Sequence, residues 1–324
     1  AIMILMELLT SLGLFTLSFV LLWIGSGLAV HAITKISYSL RMSSFFVSFF
    51  IMGIFTSLTE IMVGVNAVIS NQPEIFVGNL VGSSIVVFLL VVPLLAVLGN
   101  GVNLNHSFRF KDLVTATLVV GFPALLTLDN RITLVDVLIC LILYVYFAFI
   151  QEKNNQTLSK LVMVKFTRST IYVNLAKILV AIVLVFFASS ILVQQTSVLA
   201  NLFGASSFII SILVISIGTN IPELSIAIRA VLAQKKDIAF GNCLGSATLN
   251  TLELSLLGLI SAKPIAALGS NFSVIAFLSG LIAFLYFAKS QKTISRIEGL
   301  VLLFFYFLFL VFELLSGPGW EFPF

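Results

Sequence analysis

Glu60 and Glu223 each stand in the middle of a long apolar run, and each follows a threonine by four residues, Thr56 and Thr219. A spacing of four puts the hydroxyl and the carboxylate on one face of a helix. A carboxylate near the centre of a bilayer costs about 2.5–3.5 kcal/mol on insertion scales. A chain that keeps two of them needs something to neutralise them. Two negative charges balance one Ca2+, two Na+ or two protons. Carboxylate, hydroxyl, amide and carbonyl oxygens suit these hard cations and not soft metals. Gly53, Gly218 and Pro222 can interrupt the two helices. Pro222 has no backbone donor and leaves carbonyls free to face an ion. In the next apolar run of each half, Gly78-Asn-Leu-Val-Gly-Ser83 and Gly241-Asn-Cys-Leu-Gly-Ser246 add small residues for close helix approach and one hydroxyl each, Ser83 and Ser246.

The two glutamates belong to an internal repeat. At a constant offset of 163 residues, Met52–Glu60 lies over Ile215–Glu223, Gly78–Ser83 over Gly241–Ser246, Ser43-Ser-Phe45 over Ser206-Ser-Phe208, and Ser26 over Ser189. Apolar stretches match one another by chance. The coincident polar residues Thr56/Thr219, Glu60/Glu223, Asn79/Asn242 and Ser83/Ser246 carry the information, because polar residues inside spans are costly.

The elements that hold these residues follow from composition. Sixty per cent of the residues are apolar, 9% are charged, and the mean hydropathy is +1.19. Soluble domains carry roughly 25% charged residues, so lipid must solvate much of this surface. Runs such as Ile132–Ile150 and Leu300–Leu315 are apolar all round, which fits helices and not barrel strands. With about 20 residues per span, ten spans are predicted, near 2–30, 44–70, 75–99, 112–128, 132–150, 171–193, 207–232, 238–261, 267–288 and 298–316. The expected fold is all-α, with ten transmembrane helices as two inverted five-helix repeats. Residues 1–150 form the first repeat, 151–170 a polar cytoplasmic connection and 171–324 the second repeat. Five is odd, so the second copy must sit upside down relative to the first. Inverted repeats with interrupted helices point to a transporter whose site lies between them.

The basic residues check this count. Sorting Lys and Arg by alternate connections puts fourteen on one side and only Arg131 and Lys263 on the other, with Lys177 near the start of the sixth span. The positive-inside rule then places the richer side in the cytoplasm and both termini outside. The +4 net charge thus serves topology and asks for no anionic partner. Ala29-Val30-His31-Ala32 resembles a signal cleavage site. However, no positive charge precedes the long apolar run, and its counterpart recurs in the second half, so it is read as a span. Cys140 and Cys243 lie in apolar segments without a pairing or metal motif.

Segments 53–90 and 216–253 resemble the paired α-repeats of the sodium/calcium exchanger family, within the cation/Ca2+ antiporter superfamily, whose pattern is approximately G-T-S-x-P-E followed by G-N-x-x-G-S-N. The likeness to a prokaryotic-type, ten-helix member covers nearly the whole chain. It implies a ligand set of Thr56, Ser57, Glu60 and Ser83 from the first copy and Thr219, Glu223, Ser246 and Asn250 from the second. Asn220 stands in place of the second serine, and carbonyls near Gly53 and Ser216 join the set. The resemblance also implies that the first and sixth spans slide against the rest. There are departures: Phe55 replaces a Gly, Thr59 a Pro, Asn220 a Ser, and Val87 an Asn or Asp whose mirror, Asn250, is retained. Losing one oxygen ligand disfavours three simultaneous Na+ and makes proton coupling more plausible.

Glu253 follows Ser246 by seven and Asn250 by three, on one helical face, and is a candidate outer proton or cation relay. Asp129, Asp136, Glu313 and Glu321 fall near span ends and are expected to be solvated.

The expected function is secondary cation antiport, Ca2+ for Na+ or, alternatively, for H+. A non-transporting membrane sensor on a degenerate exchanger fold stays open. There is no Walker motif, and no histidine accompanies Ser83 or Ser246, so neither ATP drive nor an intramembrane enzyme is expected. No cofactor is called for. The expected partners are inorganic cations and the lipid bilayer, not nucleic acid or nucleotide, and the expected location is a prokaryotic plasma membrane.

Overall fold

The structure, a computed structural model, describes residues 2–39, 53–103, 109–155, 168–234, 236–261, 263–290 and 293–316. In chain order, α1 is Ile2–Ser39, α2 Gly53–Thr56, α3 Leu58–Ile69 and α4 Pro73–Val86. A π turn, Val87–Val91, leads into α5, Val92–Leu98, and strand β1, Val102–Asn103. Helix α6 is Phe110–Leu126, β2 Arg131–Ile132, α7 Leu134–Asn155 and α8 Arg168–Phe203. Next come α9, Ser207–Ile210, a second π turn, Ser211–Ile215, then α10, Ser216–Thr219, and α11, Ile221–Leu232. The chain continues through α12, Lys236–Ser261, β3, Ile265–Ala266, α13, Asn271–Ser290, β4, Thr293–Ile294, and α14, Arg296–Ser316.

Among the described residues, nine helices are long and apolar enough to cross a membrane. The tenth span, second in order, is described from Gly53 onward. The chain is an all-α membrane protein of ten spans in two inverted five-helix repeats. The 163-residue offset holds in three dimensions. Gly53–Thr56 maps onto Ser216–Thr219, Leu58–Ile69 onto Ile221–Leu232, and β1 onto β3. Even the left-handed residues that end the second span of each copy correspond, Asn71 at φ 55° and Gln234 at φ 57°. The minimal strands follow the same symmetry. β1 pairs with β4 (Val102 opposite Ile294), and β2 pairs with β3 (Arg131 opposite Ala266). Each bridge joins a connection of one copy to one of the other. The repeat operation exchanges the two bridges.

Burial sorts the helices into centre and rim. The third span, Pro73–Leu98, is 83% buried and Ala239–Ser261 is 78% buried, against 28% for the first span and 22% for the fifth. The long helices α1 and α8, of 38 and 36 residues, pack along each other. At 1.5 Å per residue each measures well over 50 Å, so each crosses a core of ~30 Å obliquely or extends beyond it. Their outer faces, with Leu17, Trp23, Leu179 and Phe187, are exposed, as lipid-facing surfaces should be. The pair lies across the broken helices. Phe19 of α1 packs over Gly218, where a Cβ would stand 1.9 Å from its ring. Asn66 of α3 donates to Ser189 Oγ of α8 at 2.8 Å.

Two sequence expectations are corrected. Glu313, expected at a solvated span end, is fully buried. It accepts from Ser270 N at 3.1 Å and from the Ser273 hydroxyl, so it caps the start of α13. A buried helix N-terminus leaves donors that need an acceptor, and a carboxylate suits the dipole there. The helix breaks do not fall at Gly53 or Gly218, which are helical. They fall at Ser57 (φ −72°, ψ 4°) and Asn220 (φ −87°, ψ 8°). Pro222, in the first turn of α11, has no N–H to donate to the Gly218 carbonyl four residues back and its ring crowds that carbonyl, which accounts for a break just before it. The first copy breaks at the same place with no proline. Helix α7 runs to Asn155 and α8 starts at Arg168. Glu321 and residues 44–52 of the second span lie outside the described residues.

The π turn at Val87–Val91 has a local cause. Pro93 cannot donate a backbone hydrogen bond and its ring crowds the carbonyl four residues back. A wider turn absorbs both effects. Val87 thus sits buried at the start of the turn.

Candidate functional site

The two breaks face each other near the centre of the bundle. α4 approaches α9, the second π turn and the start of α10 because Gly78 and Gly82 present no side chain. A Cβ on Gly78 would lie 2.6 Å from Phe208 O, and one on Gly82 2.6 Å from Ile212 O. In the mirror contact, a Cβ on Gly53 would lie 3.4 Å from Ser246 N. These crossings bring Glu60, Thr56, Ser57, Ser83, Ser216, Thr219, Asn220, Glu223, Ser246 and Asn250 into the interior, all buried, together with Gly53.

One half of this cluster is tightly hydrogen-bonded. The Thr59 hydroxyl lies 2.6 Å from Glu60 Oε2 and 3.1 Å from the carbonyl of Thr219. Ser83 Oγ reaches Glu60 Oε1 at 3.4 Å. The Asn220 amide donates to Ser83 Oγ at 2.9 Å and to the Ser216 carbonyl at 2.7 Å. Thr219 Oγ1 donates to Asn79 Oδ1 at 3.1 Å. Both hydroxyls on Glu60 come from the first copy, and each in turn touches the second, Thr59 at the Thr219 carbonyl and Ser83 at the Asn220 amide.

The other half is bare. Both carboxylate oxygens of Glu223 lack a hydrogen-bond partner, as do Ser57 Oγ and both amide atoms of Asn242. Thr56 and Ser246 lie close enough to act on Glu223, but neither reaches it with hydrogen-bond geometry. The Thr56 hydroxyl turns instead to Gly53 O at 3.1 Å. The two glutamates are near enough to repel each other. Glu253, buried and without a partner on either oxygen, feels the charge of both. Asn250 Nδ2 donates to Ser84 Oγ at 3.2 Å and to Leu80 O at 3.4 Å.

No three or more His, Cys, Asp or Glu residues group tightly enough to share a metal among the described residues. An ion held here would therefore draw on two acids at most and complete its shell with hydroxyl, amide and carbonyl oxygens. That is the donor set of a hard cation. Sequence reasoning noticed Asn79 and Asn242 only as repeat markers and Thr59 only as a departure. The signal for the asparagines was there, since their amides recur at equivalent buried positions in both copies.

The sodium/calcium exchanger protein model matches residues 10–152 and again 173–315. The chain belongs to the sodium/calcium exchanger family. The double match follows the two repeats, and membership makes the chain a cation/Ca2+ antiporter, a transporter and not an enzyme. Among relatives of this exchanger, CaxA of Alkalimonas amylolytica is 27% identical over 285 residues, covering 85% of this chain and 89% of that protein. The sodium/calcium exchanger MaX1 of Methanosarcina acetivorans is 32% identical over 120 residues, 37% of this chain and 34% of that protein. Among solved structures, the sodium-calcium exchanger NCX_Mj, soaked with Na+ and Sr2+, has the same fold. The TM-score is 0.66 at 23% identity, over 94% of this chain and 98% of that one.

Proposed function

We propose that this exchanger moves Ca2+ against Na+ by alternating access at a midplane site built on Glu60 and Glu223. The observation that carries this reading is the meeting of two mirrored, broken helices, each bringing one buried carboxylate within electrostatic reach of the other. Two such charges left bare cost several kcal/mol each, and one divalent cation offsets both. Thr56, Ser57, Ser83, Thr219, Asn220, Ser246, Asn250 and the carbonyls near Gly53 and Ser216 are the oxygens from which its shell would be drawn. Glu253, on the Ser246–Asn250 face of α12, serves as an outer relay. The long pair α1 and α8, packed against the broken helices, is the body that would slide to open each side. In this arrangement the units 1–150 and 171–324 are joined by a cytoplasmic connection at 151–170. Both termini face out, in the plasma membrane of a prokaryote.

A second reading, exchange of Ca2+ for H+, is favoured by Val87. Val87 is buried and apolar, at the position where the family pattern implies an Asn or Asp oxygen. Ca2+ uptake into proteoliposomes under an imposed Na+ gradient and, separately, an imposed pH gradient decides between them. Uptake driven by Na+ alone supports the first reading, and uptake driven by pH alone the second. If neither gradient moves any cation, the chain is a sensor on an exchanger fold.

A further inference from the structure

Among the pairs that break the symmetry of the repeat, two at the helix breaks act in the same direction. At the helix break, Asn220 of the second copy answers Ser57 of the first. The longer Asn220 amide spans to Ser83 Oγ at 2.9 Å while holding the Ser216 carbonyl. The short Ser57 hydroxyl reaches nothing. One residue before the glutamate, Thr59 answers Pro222. Thr59 offers a hydroxyl to Glu60 at 2.6 Å. Pro222 has no donor to offer, and Glu223 keeps both oxygens bare. Donors thus accumulate around Glu60, and unsatisfied acceptors around Glu223.

The asparagines record the same split. Asn79 Oδ1 accepts from Thr219 Oγ1 at 3.1 Å, while its Nδ2, like that of Asn242, has no partner, so the two differ at the oxygen. Its mirror, Asn242, stands at the position that would meet Thr56. That hydroxyl has turned to Gly53 O, so the Asn242 side chain is fully buried with neither amide atom bonded. Asn242 lies one turn before Ser246 on the same face of α12, and Ser246 lies beside Glu223. A buried amide with no partner is rare in native proteins and calls for a missing partner, water or ion.

We infer that the transported cation is seated off the pseudo-twofold axis, in the Glu223 half, and that the Asn242 carbonyl oxygen is one of its ligands. This rests on the cation-exchange reading above and adds to it an asymmetric seat. Glu223, Ser57 and Asn242 supply the free oxygens. Glu60, already hydrogen-bonded, supplies charge from across the axis.

The test is calorimetric Ca2+ binding to the full-length protein purified in detergent, comparing Asn242→Ala with its mirror variant Asn79→Ala. Loss of a ligand to a charged group should weaken Ca2+ binding about tenfold or more in Asn242→Ala, with a clearly smaller change in Asn79→Ala. Equal losses, or a larger loss in Asn79→Ala, would overturn the asymmetric seat. Should Asn242→Ala fail to fold, Asn242→Asp takes its place. An added carboxylate in the shell should tighten Ca2+ binding, and a purely structural amide replaced in this way would not. Anomalous scattering from Mn2+ in crystals of the unmutated protein gives an independent answer. An ion nearer Glu223 than Glu60 supports the inference, and one equidistant from both overturns it. No Ca2+ binding by the unmutated protein would instead sink the exchange reading itself.

Discussion

The hydroxyl of Thr59 lies 2.6 Å from Glu60 Oε2, a contact that the mirror residue Pro222 cannot make with Glu223. One hydroxyl carries one proton, and Thr59 Oγ1 also stands 3.1 Å from the Thr219 carbonyl. It therefore donates to one of these two acceptors at a time, the carboxylate being the nearer.

Thr59→Val keeps the shape and removes that donor. The cation-free protein should lose about 1 kcal/mol of stability, the scale of hydrogen bonds between membrane helices. Saturating Ca2+ should shrink the difference, because the ion takes over the oxygens the hydroxyl served. Melting curves in detergent with and without Ca2+ check this. An equal loss in both conditions would show that Thr59 merely packs.

Glu60→Gln and Glu223→Gln should each abolish Ca2+ uptake into proteoliposomes while leaving expression and monodispersity intact. Each removes one of the two charges that balance a divalent ion, and glutamine occupies almost the same volume. Normal exchange by either variant would refute the proposed site.

Gly82→Ala places a methyl 2.6 Å from Ile212 O and 2.7 Å from Ser216 Cβ. Backbone cannot yield as a flexible side chain does, so α4 and α10 must separate. The expected cost is about 1–3 kcal/mol, with loss of transport. Gly13→Ala, whose added Cβ meets nothing within 4 Å, is the matched control and should be neutral. Thermal stability and Ca2+ flux measured side by side give the answer.

Glu313→Ala leaves Ser270 N without its buried acceptor, while the Ser273 hydroxyl keeps the Ser270 carbonyl at 2.7 Å. It should destabilise the protein by about 1–3 kcal/mol and leave Ca2+ affinity unchanged. A shifted affinity, read by calorimetry on the folded fraction, would mean that this cap is coupled to the ion site.

Much of this architecture is local information. Spans show as apolar runs, and the fourteen-to-two split of basic residues orders them. Glu60 and Glu223 stand out because an acid in an apolar segment is expensive wherever the segment packs. The helix breaks were legible only in part. Pro222 announced the second, but the first, at Ser57, carries no comparable mark. Glu313 misled, because position near a span end implies water only when no other helix terminus needs the carboxylate.

From its sequence alone, the chain was bound to be a ten-span, twice-repeated membrane protein with two matched carboxylates, because hydropathy, period and spacing act along the chain. Tertiary structure alone decided which oxygens are satisfied: Glu60 bonded and Glu223 bare, Asn79 paired and Asn242 open. Those outcomes depend on how closely helices from opposite copies cross. A side chain one atom longer or shorter, Asn220 against Ser57, then determines whether a donor reaches across the gap.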